Sequence, residues 1–233
     1  MADRRDRPGQ PASSGDPAVV AEYSRLARVY DAKWAAYIRR SAETTIAELA
    51  SRPPGALLDV GCGTGALLAV AKEVIPETQL TGLDPVDAVL QIARAKLGAE
   101  ARLCRGWAEG LPFRSGRFPA VVCCNAFHYF SGPRRTLDEI YRVLEPGGRL
   151  VLTDWCADYL STRILGWCLR ATGKPLHRVY SRPALGRLLT AAGFRDIQTK
   201  RYRIDWLWGL MTVTARKRDN TLAGEFDCDD TRA

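Results

Sequence analysis

An α/β fold built on a parallel sheet is predicted by three observations. Short apolar runs alternate with helix-period segments over residues 56–153. Several runs, above all residues 118–124, are apolar on both sides, as in strands buried between two helical layers. Two later runs, residues 194–204 and 210–216, have only a short link between them and read as an antiparallel hairpin.

The elements follow in order. Residues 1–18 are rich in Pro, Gly, Ser, Asp and Arg and read as a disordered leader, with no apolar core of a secretory signal. Residues 19–218 are expected to form a single domain. Within it, residues 19–55 open on helical spacing of Tyr23, Leu26, Tyr30, Trp34, Tyr37 and Ile38. A helix with an aromatic face is predicted, broken near Ser41 and closed by Pro53-Pro54-Gly55. That face is either core packing or an N-terminal helical lid. Strands are predicted at 56–60, 80–83, 102–106, 118–124 and 149–153, and helices at 67–74, 88–97 and 136–144. Pro146-Gly147-Gly148 is expected to stop the last of these helices. Residues 155–180 are too apolar for a bare loop and are predicted to cap the C-terminal end of the sheet. A helix at 183–192 is closed by Gly193. Residues 219–233 hold five acids and one arginine and read as a flexible tail.

Composition excludes several classes. The 233 residues contain 46% apolar and 26% charged residues, ordinary for a globular chain. No apolar run is long enough to span a bilayer, and no membrane partner is expected. Only two histidines are present, so no polyhistidine metal site is expected and no metal is assigned. Seven cysteines without a CxxC pair suit free thiols in a reducing, cytoplasmic setting. The net charge of +8 is uneven, since the acidic tail leaves +12 on the body. No dense Lys/Arg block accompanies it, so nucleic acid is an unlikely partner and a solvated basic surface the plainer reading.

The strongest local signal is Leu57-Leu58-Asp59-Val60-Gly61-Cys62-Gly63-Thr64-Gly65. An apolar strand enters a tight glycine turn and then a helix, so backbone N–H groups can approach a ligand closely. The spacing is GxGxG rather than the dinucleotide GxGxxG, and no GKS or GKT follows. Asp59 would repel a pyrophosphate, and it either suits an amino group or organises the glycine turn. Asp84, closing the second strand before Pro85, is either a turn residue or an acceptor for ribose hydroxyls. An adenosine ligand ending in an amino acid fits these residues better than a dinucleotide.

Four segments in order resemble the class I S-adenosylmethionine-dependent methyltransferases, in their small-molecule branch. They are the glycine loop, Gly82-Leu83-Asp84, Ala108-Glu109-Gly110-Leu111-Pro112-Phe113 with Phe118 beyond, and Arg142-Val143-Leu144-Glu145-Pro146-Gly147-Gly148. The resemblance covers about residues 57–193. It implies a doubly wound, seven-stranded, mostly parallel sheet with a C-terminal antiparallel hairpin and a helical cap. It implies S-adenosylmethionine as cofactor, with Gly61, Cys62, Gly63 and Gly65 around the methionine end and Asp84 and Pro85 at the ribose. Trp107, Ala108 and Glu109 would line the adenine. The family commonly places an acid where Trp107 stands, and this indole either stacks on adenine or packs in the core. The family also favours Phe-Asp where Phe118-Pro119 stands, and a proline fits only a strand start. Asn125, Tyr23 and Tyr30 are further cofactor candidates.

Methyl transfer needs an acceptor placed in line with the donor sulfur, and a hydroxyl acceptor gains from a base. His128 lies just beyond the strand at 118–124 and is either that base or a shaping residue under the cap. His177 is a second base candidate, and Asp154 would orient a base or bind an acceptor. Trp34, Tyr129, Trp155, Tyr159, Tyr180 and Trp206 are candidate acceptor-site residues. Arg163, Arg170 and Arg178 would either receive an acceptor anion or face solvent. The leading expectation is methylation of a small aromatic or polycyclic metabolite, of the kind found in secondary metabolism, by a monomer or homodimer. Oxygen is the first acceptor atom, carbon or nitrogen the next. RNA or protein methylation is the second reading. A cofactor-binding protein of this fold with a cyclising or structural role is the third.

Overall fold

The computed structural model describes residues 16–219. Most of the leader and nearly all of the acidic tail lie outside them. The elements run α1 (Pro17–Lys33), α2 (Ala35–Ala50), β1 (Ala56–Val60), α3 (Ala66–Val74), β2 (Gln79–Asp84), α4 (Asp87–Leu97), β3 (Ala101–Arg105), β4 (Phe118–Cys124), α5 (Pro133–Val143), β5 (Leu144–Trp155), α6 (Leu160–Ala171), α7 (Arg182–Ala191), β6 (Arg195–Arg203) and β7 (Gly209–Arg216). The strand order β3-β2-β1-β4-β5-β7-β6 makes a seven-stranded sheet. The first five strands in that order pair in parallel, and β7 joins β5 and β6 antiparallel. This is the doubly wound sheet with a terminal hairpin that the sequence implies.

Strand periodicity divides the core into two layers. Leu57, Ala120, Val122 and Val151 face one side and pack with Ala42, Ile46 and Leu49 of α2 and with Leu67, Leu68 and Ala71 of α3. Leu58, Val60, Val121, Cys123, Leu150 and Leu152 face the other and meet Leu137 and Ile140 of α5 and Leu185 and Leu189 of α7. Consecutive strand residues point to opposite faces, so each strand must be apolar throughout to serve both layers.

The strand order reverses between β1 and β4, and their C-terminal ends open a crevice there, where such sheets bind ligands. Gly65 caps α3 at φ 75°, and a Cβ on it would stand 2.8 Å from Leu97 and 3.1 Å from Ala93. This third glycine of the loop therefore lets α3 and α4 close on each other beneath the crevice.

Three elements depart from expectation. The N-terminal helical segment breaks at Trp34, not near Ser41. Ser41 stays helical because its buried hydroxyl donates to the Tyr37 and Ile38 carbonyls of the preceding turn. Residues 144–148 join the strand that was expected to begin at Arg149, and β4 pairs with it at Leu144 and again from Arg149 on. Pro119 sits inside the register shift between Phe118 and Ala120, where the missing N–H costs no ladder bond. Finally, the segment at 155–180 contributes one helix, α6, with irregular chain on both sides of it.

Candidate active site

Two adjoining cavities occupy the crevice end of the sheet. The first is lined by the glycine loop from Gly61 to Thr64, by Asp59, by Asp84 and Pro85, by Trp107 to Glu109, and by Asn125. Helix α1 covers it with Val19, Tyr23 and Tyr30. Gly61 has φ 82°, and a Cβ there would lie 2.6 Å from that of Ala126, so only glycine fits. The carboxylate of Asp84 accepts from Gly63 N and Val86 N, each at 2.9 Å, which fixes the loop to the end of β2. Cys62 is buried beside it, with its N–H donating to the Leu83 carbonyl at 3.1 Å. Glu109 is buried and accepts from Ser131 and from Gly132 N, which holds the Trp107–Ala108 strip along the wall.

Asp59 is the unusual group. It is buried, its Oδ1 has no hydrogen-bond partner, and burial pushes its carboxyl up to about 8, with the Asp84 charge adding to the shift. Burial also raises Asp84 to about 6, against the lowering effect of its two N–H donors. A folded-state value above the ordinary 3.8 means that the folded chain holds extra protons. The resulting stabilisation is complete below about pH 4 and is lost as pH rises towards 8. The unliganded wild type is therefore expected to lose stability over that window relative to Asp59→Asn. Denaturant melts at fixed pH values check this. A parallel pH dependence in both proteins would contradict it.

The second cavity holds about 500 Å3, within the range of small-molecule sites. Its walls are aromatic: Trp34, Tyr37, Trp155 and Trp208, together with Tyr23, Tyr30 and Tyr129. Leu165 and Leu169 of α6 and Leu176 add aliphatic surface, and Glu22, Arg25, Lys33 and Lys174 add charge. Tyr23, Tyr30, Asn125 and Tyr129 border both cavities, so the two meet at these side chains. The Tyr23 hydroxyl is hydrogen-bonded to Tyr30 and Tyr129, and burial pushes the Tyr30 phenol well up from its ordinary value and Tyr129 up to about 12.

His128 reaches this second cavity from the turn after β4, and Asp154, at the end of β5, stands behind it. His128 Nδ1 lies 2.5 Å from Asp154 Oδ1, and its backbone N–H donates to Oδ2 at 2.9 Å. The imidazole is buried, and Nε2 has no partner. With Nδ1–H given to the carboxylate, Nε2 is the basic nitrogen. Trp155 stacks on the ring at 4.6 Å between centroids.

A buried relay holds that indole. Trp155 Nε1 donates to the Tyr37 hydroxyl, Tyr37 donates to Asn125 Oδ1, and Asn125 Nδ2 donates to Ser41, each at 2.7 Å. Asn125 sits at φ 56°, a conformation that asparagine tolerates better than most residues. Tyr37→Phe removes the middle of the chain and orphans an indole N–H and an amide oxygen. A loss of roughly 1–3 kcal/mol is expected, read from chemical denaturation. A change under about 0.5 kcal/mol would show that the relay does not brace the site.

The structure brings together most of the residues named from sequence. Trp34, Tyr129 and Trp155 line the second cavity, and Asp154 stands behind His128. Others lie elsewhere. His177 lines neither cavity and pairs with Asp16 at the start of α1, at 3.2 Å. Tyr180 is buried against Phe127. Tyr159 packs on Gly209 with Arg203 over its ring. Trp206 is 79% exposed. Sequence reasoning missed Tyr37, which the aromatic spacing of α2 carries, and Thr64 and Asp31. Asp31 of α1 accepts from Thr64 at 2.6 Å and from Lys96 at 2.7 Å, fastening α1 over the glycine loop.

A doubly wound sheet, a glycine loop at its reversal and an acid closing β2 define a nucleoside-binding site of the methyltransferase type. The methyltransferase-domain family model matches residues 58–152. Over that span the chain is similar to the class I S-adenosylmethionine-dependent methyltransferases. It is 35% identical over 162 residues to a demethylmenaquinone methyltransferase of Deinococcus radiodurans, covering 66% of this chain and 64% of that protein. It is 36% identical over 114 residues to a probable tRNA methyltransferase 9B of Homo sapiens, covering 47% of this chain and 24% of that one. The match spans about half to two thirds of the length of the demethylmenaquinone methyltransferases it resembles. Among solved structures, the 1,6-didemethyltoxoflavin-N1-methyltransferase of Burkholderia thailandensis shares the fold with a TM-score of 0.70 and 21% identity, covering 92% of this chain and 93% of that one.

The first cavity fits the family's cofactor. The orphaned Asp59 oxygen suits a cationic amino group, the turn at Gly61 leaves backbone open to close approach, and Asp84 keeps carboxylate lone pairs for a ribose diol. Trp107 lines the same cavity, where an indole would stack on an adenine.

Proposed function

We propose that the chain transfers a methyl group to a small, flat hydroxyaromatic or quinone-like acceptor held in the second cavity. Oxygen is the first acceptor atom, carbon the next and nitrogen the third. The observation that carries this reading is the His128–Asp154 pair facing an aromatic cavity that adjoins the cofactor cavity. S-adenosylmethionine, when bound, supplies a methyl group already activated on a sulfonium. The chain's own residues then have three tasks. The aromatic walls stack on the acceptor and exclude water. Asn125 and the three phenols form the boundary across which donor and acceptor must align. His128 takes the acceptor proton at Nε2 while Asp154 stabilises the imidazolium. With donor bound, the acceptor would gain the methyl as the sulfur–methyl bond broke, and S-adenosylhomocysteine would be left in the cavity held by Asp59, Gly61, Gly63 and Asp84.

The Deinococcus radiodurans relative, named for demethylmenaquinone, supports a quinone-like acceptor. The free cysteines among the described residues support a reducing, cytoplasmic setting. Incubation with methyl-labelled donor and a panel of quinols and polycyclic phenols tests the proposal. Labelled product with matching S-adenosylhomocysteine is expected. Absence of S-adenosylhomocysteine binding by calorimetry would refute it. The tRNA methyltransferase relative and the basic body favour RNA as a second acceptor class. Salt-dependent RNA binding together with labelled RNA would select it.

A further inference from the structure

Helix α6 is apolar on both sides, yet only one side is covered. Its inner face places Thr162 and Gly166 in buried positions, and Leu165 and Leu169 line the second cavity. Its outer face carries Leu160, Ile164 and Trp167, which are 60%, 53% and 65% exposed. Their spacing of four and three residues puts them on one stripe of the helix. Helices apolar all round are ordinarily buried, so this stripe stands without a partner among the described residues.

Charge identifies what fits it. Helix α6 has two arginines, Arg163 and Arg170, and no acid. Neither arginine is in an ion pair among the described residues, and both lie to one side of the stripe. Asp158, the acid just before the helix, is engaged by Arg182 at 2.9 Å and by Arg201 at 3.7 Å. Two copies meeting through this face would bring unpaired arginines together, whereas an anionic surface would neutralise them. The link between β6 and β7, tied to α6 through Thr162, exposes Trp206 at the same end of the sheet. Tryptophan and arginine beside aliphatic side chains are the composition of helices that lie in a lipid interface.

We propose that the outer face of α6 docks on an anionic lipid surface, with Leu160, Ile164 and Trp167 in the acyl boundary and Arg163 and Arg170 at the headgroups. No helix among the described residues is long and apolar enough to cross a membrane, and this docking needs none. If the proposed function holds, the geometry also places the acceptor cavity on the opposite face of the docked helix, within reach of an acceptor held in lipid.

Cosedimentation of the full chain with vesicles tests docking without any acceptor. Vesicles of phosphatidylcholine with phosphatidylglycerol are expected to bind the chain, and phosphatidylcholine alone to bind it far less. Ile164→Asp and Trp167→Asp are each expected to weaken binding roughly tenfold. Arg163→Glu with Arg170→Glu is expected to remove the preference for anionic lipid. Val29→Asp, at an exposed apolar site on α1, is expected to change nothing. If a charged variant misfolds by circular dichroism, Trp167→Ala serves in its place, together with quenching of wild-type tryptophan by brominated lipid. Vesicle binding that these variants leave intact would overturn the proposal. So would a dimer in light scattering that Trp167→Asp disperses, with no lipid binding. Docking can fail while labelled transfer succeeds, and the reverse, so the two proposals are judged separately.

Discussion

Alanine at His128 is expected to lower kcat by roughly 100- to 10,000-fold, the usual worth of a positioned base. Cofactor affinity should stay within about threefold of wild type, because His128 lines only the second cavity. The imidazole is the one buried nitrogen base on that cavity, and its Nε2 is the part left without a partner. Asp154→Asn separates base from scaffold. It keeps the shape of the pair but removes the charge that favours the Nδ1–H tautomer. A fall in kcat with S-adenosylhomocysteine affinity retained, in both variants, is the expected pattern, read from initial rates and calorimetry. Near wild-type kcat in His128→Ala would assign the pair to shaping the cavity alone.

Alanine at Asp84 is expected to weaken S-adenosylhomocysteine binding by on the order of 100-fold or more. Two effects combine. The carboxylate would lose charge-assisted bonds to ribose hydroxyls, each worth about 1.5–3 kcal/mol. It would also release Gly63 N and Val86 N, which it holds at 2.9 Å, and so loosen the glycine turn itself. Titration calorimetry on the folded variant reads the loss. A dissociation constant within threefold of wild type would remove Asp84 from the site.

The parallel strands and the glycine loop were legible because each rests on local pattern. A strand between two helical layers must be apolar on both sides, and β4 shows it over its whole length. The glycines at 61, 63 and 65 all adopt positive φ, which their spacing anticipated. Contacts between distant segments were not legible. Asp154 is expected from sequence to orient a base or bind an acceptor, but nothing local reveals that a turn after β4 and the end of β5 bring it to 2.5 Å from His128 rather than His177. Nothing near Asp31 in sequence reveals its role, because its partners Thr64 and Lys96 are remote in the chain. The hairpin link shows the same limit. Trp206 and Trp208 are near-identical in sequence context, yet Trp208 lines the cavity and Trp206 faces outward. The helix break misled for a different reason. Serine is a poor helix residue in general, but a buried Ser41 can return its hydroxyl to the preceding turn.

Helix α1 supplies walls to both cavities, with Tyr23 and Tyr30 shared between them. Donor and acceptor chambers therefore have a common roof, held down by Asp31 to Lys96 on one side and Glu22 to Lys174 on the other. Both ties are partly exposed, so salt weakens them together. A displacement of α1 that frees spent cofactor also uncovers the acceptor chamber, and the two exchanges become one kinetic event. Turnover then answers to ionic strength through the lifetime of the closed roof rather than through the methyl transfer beneath it.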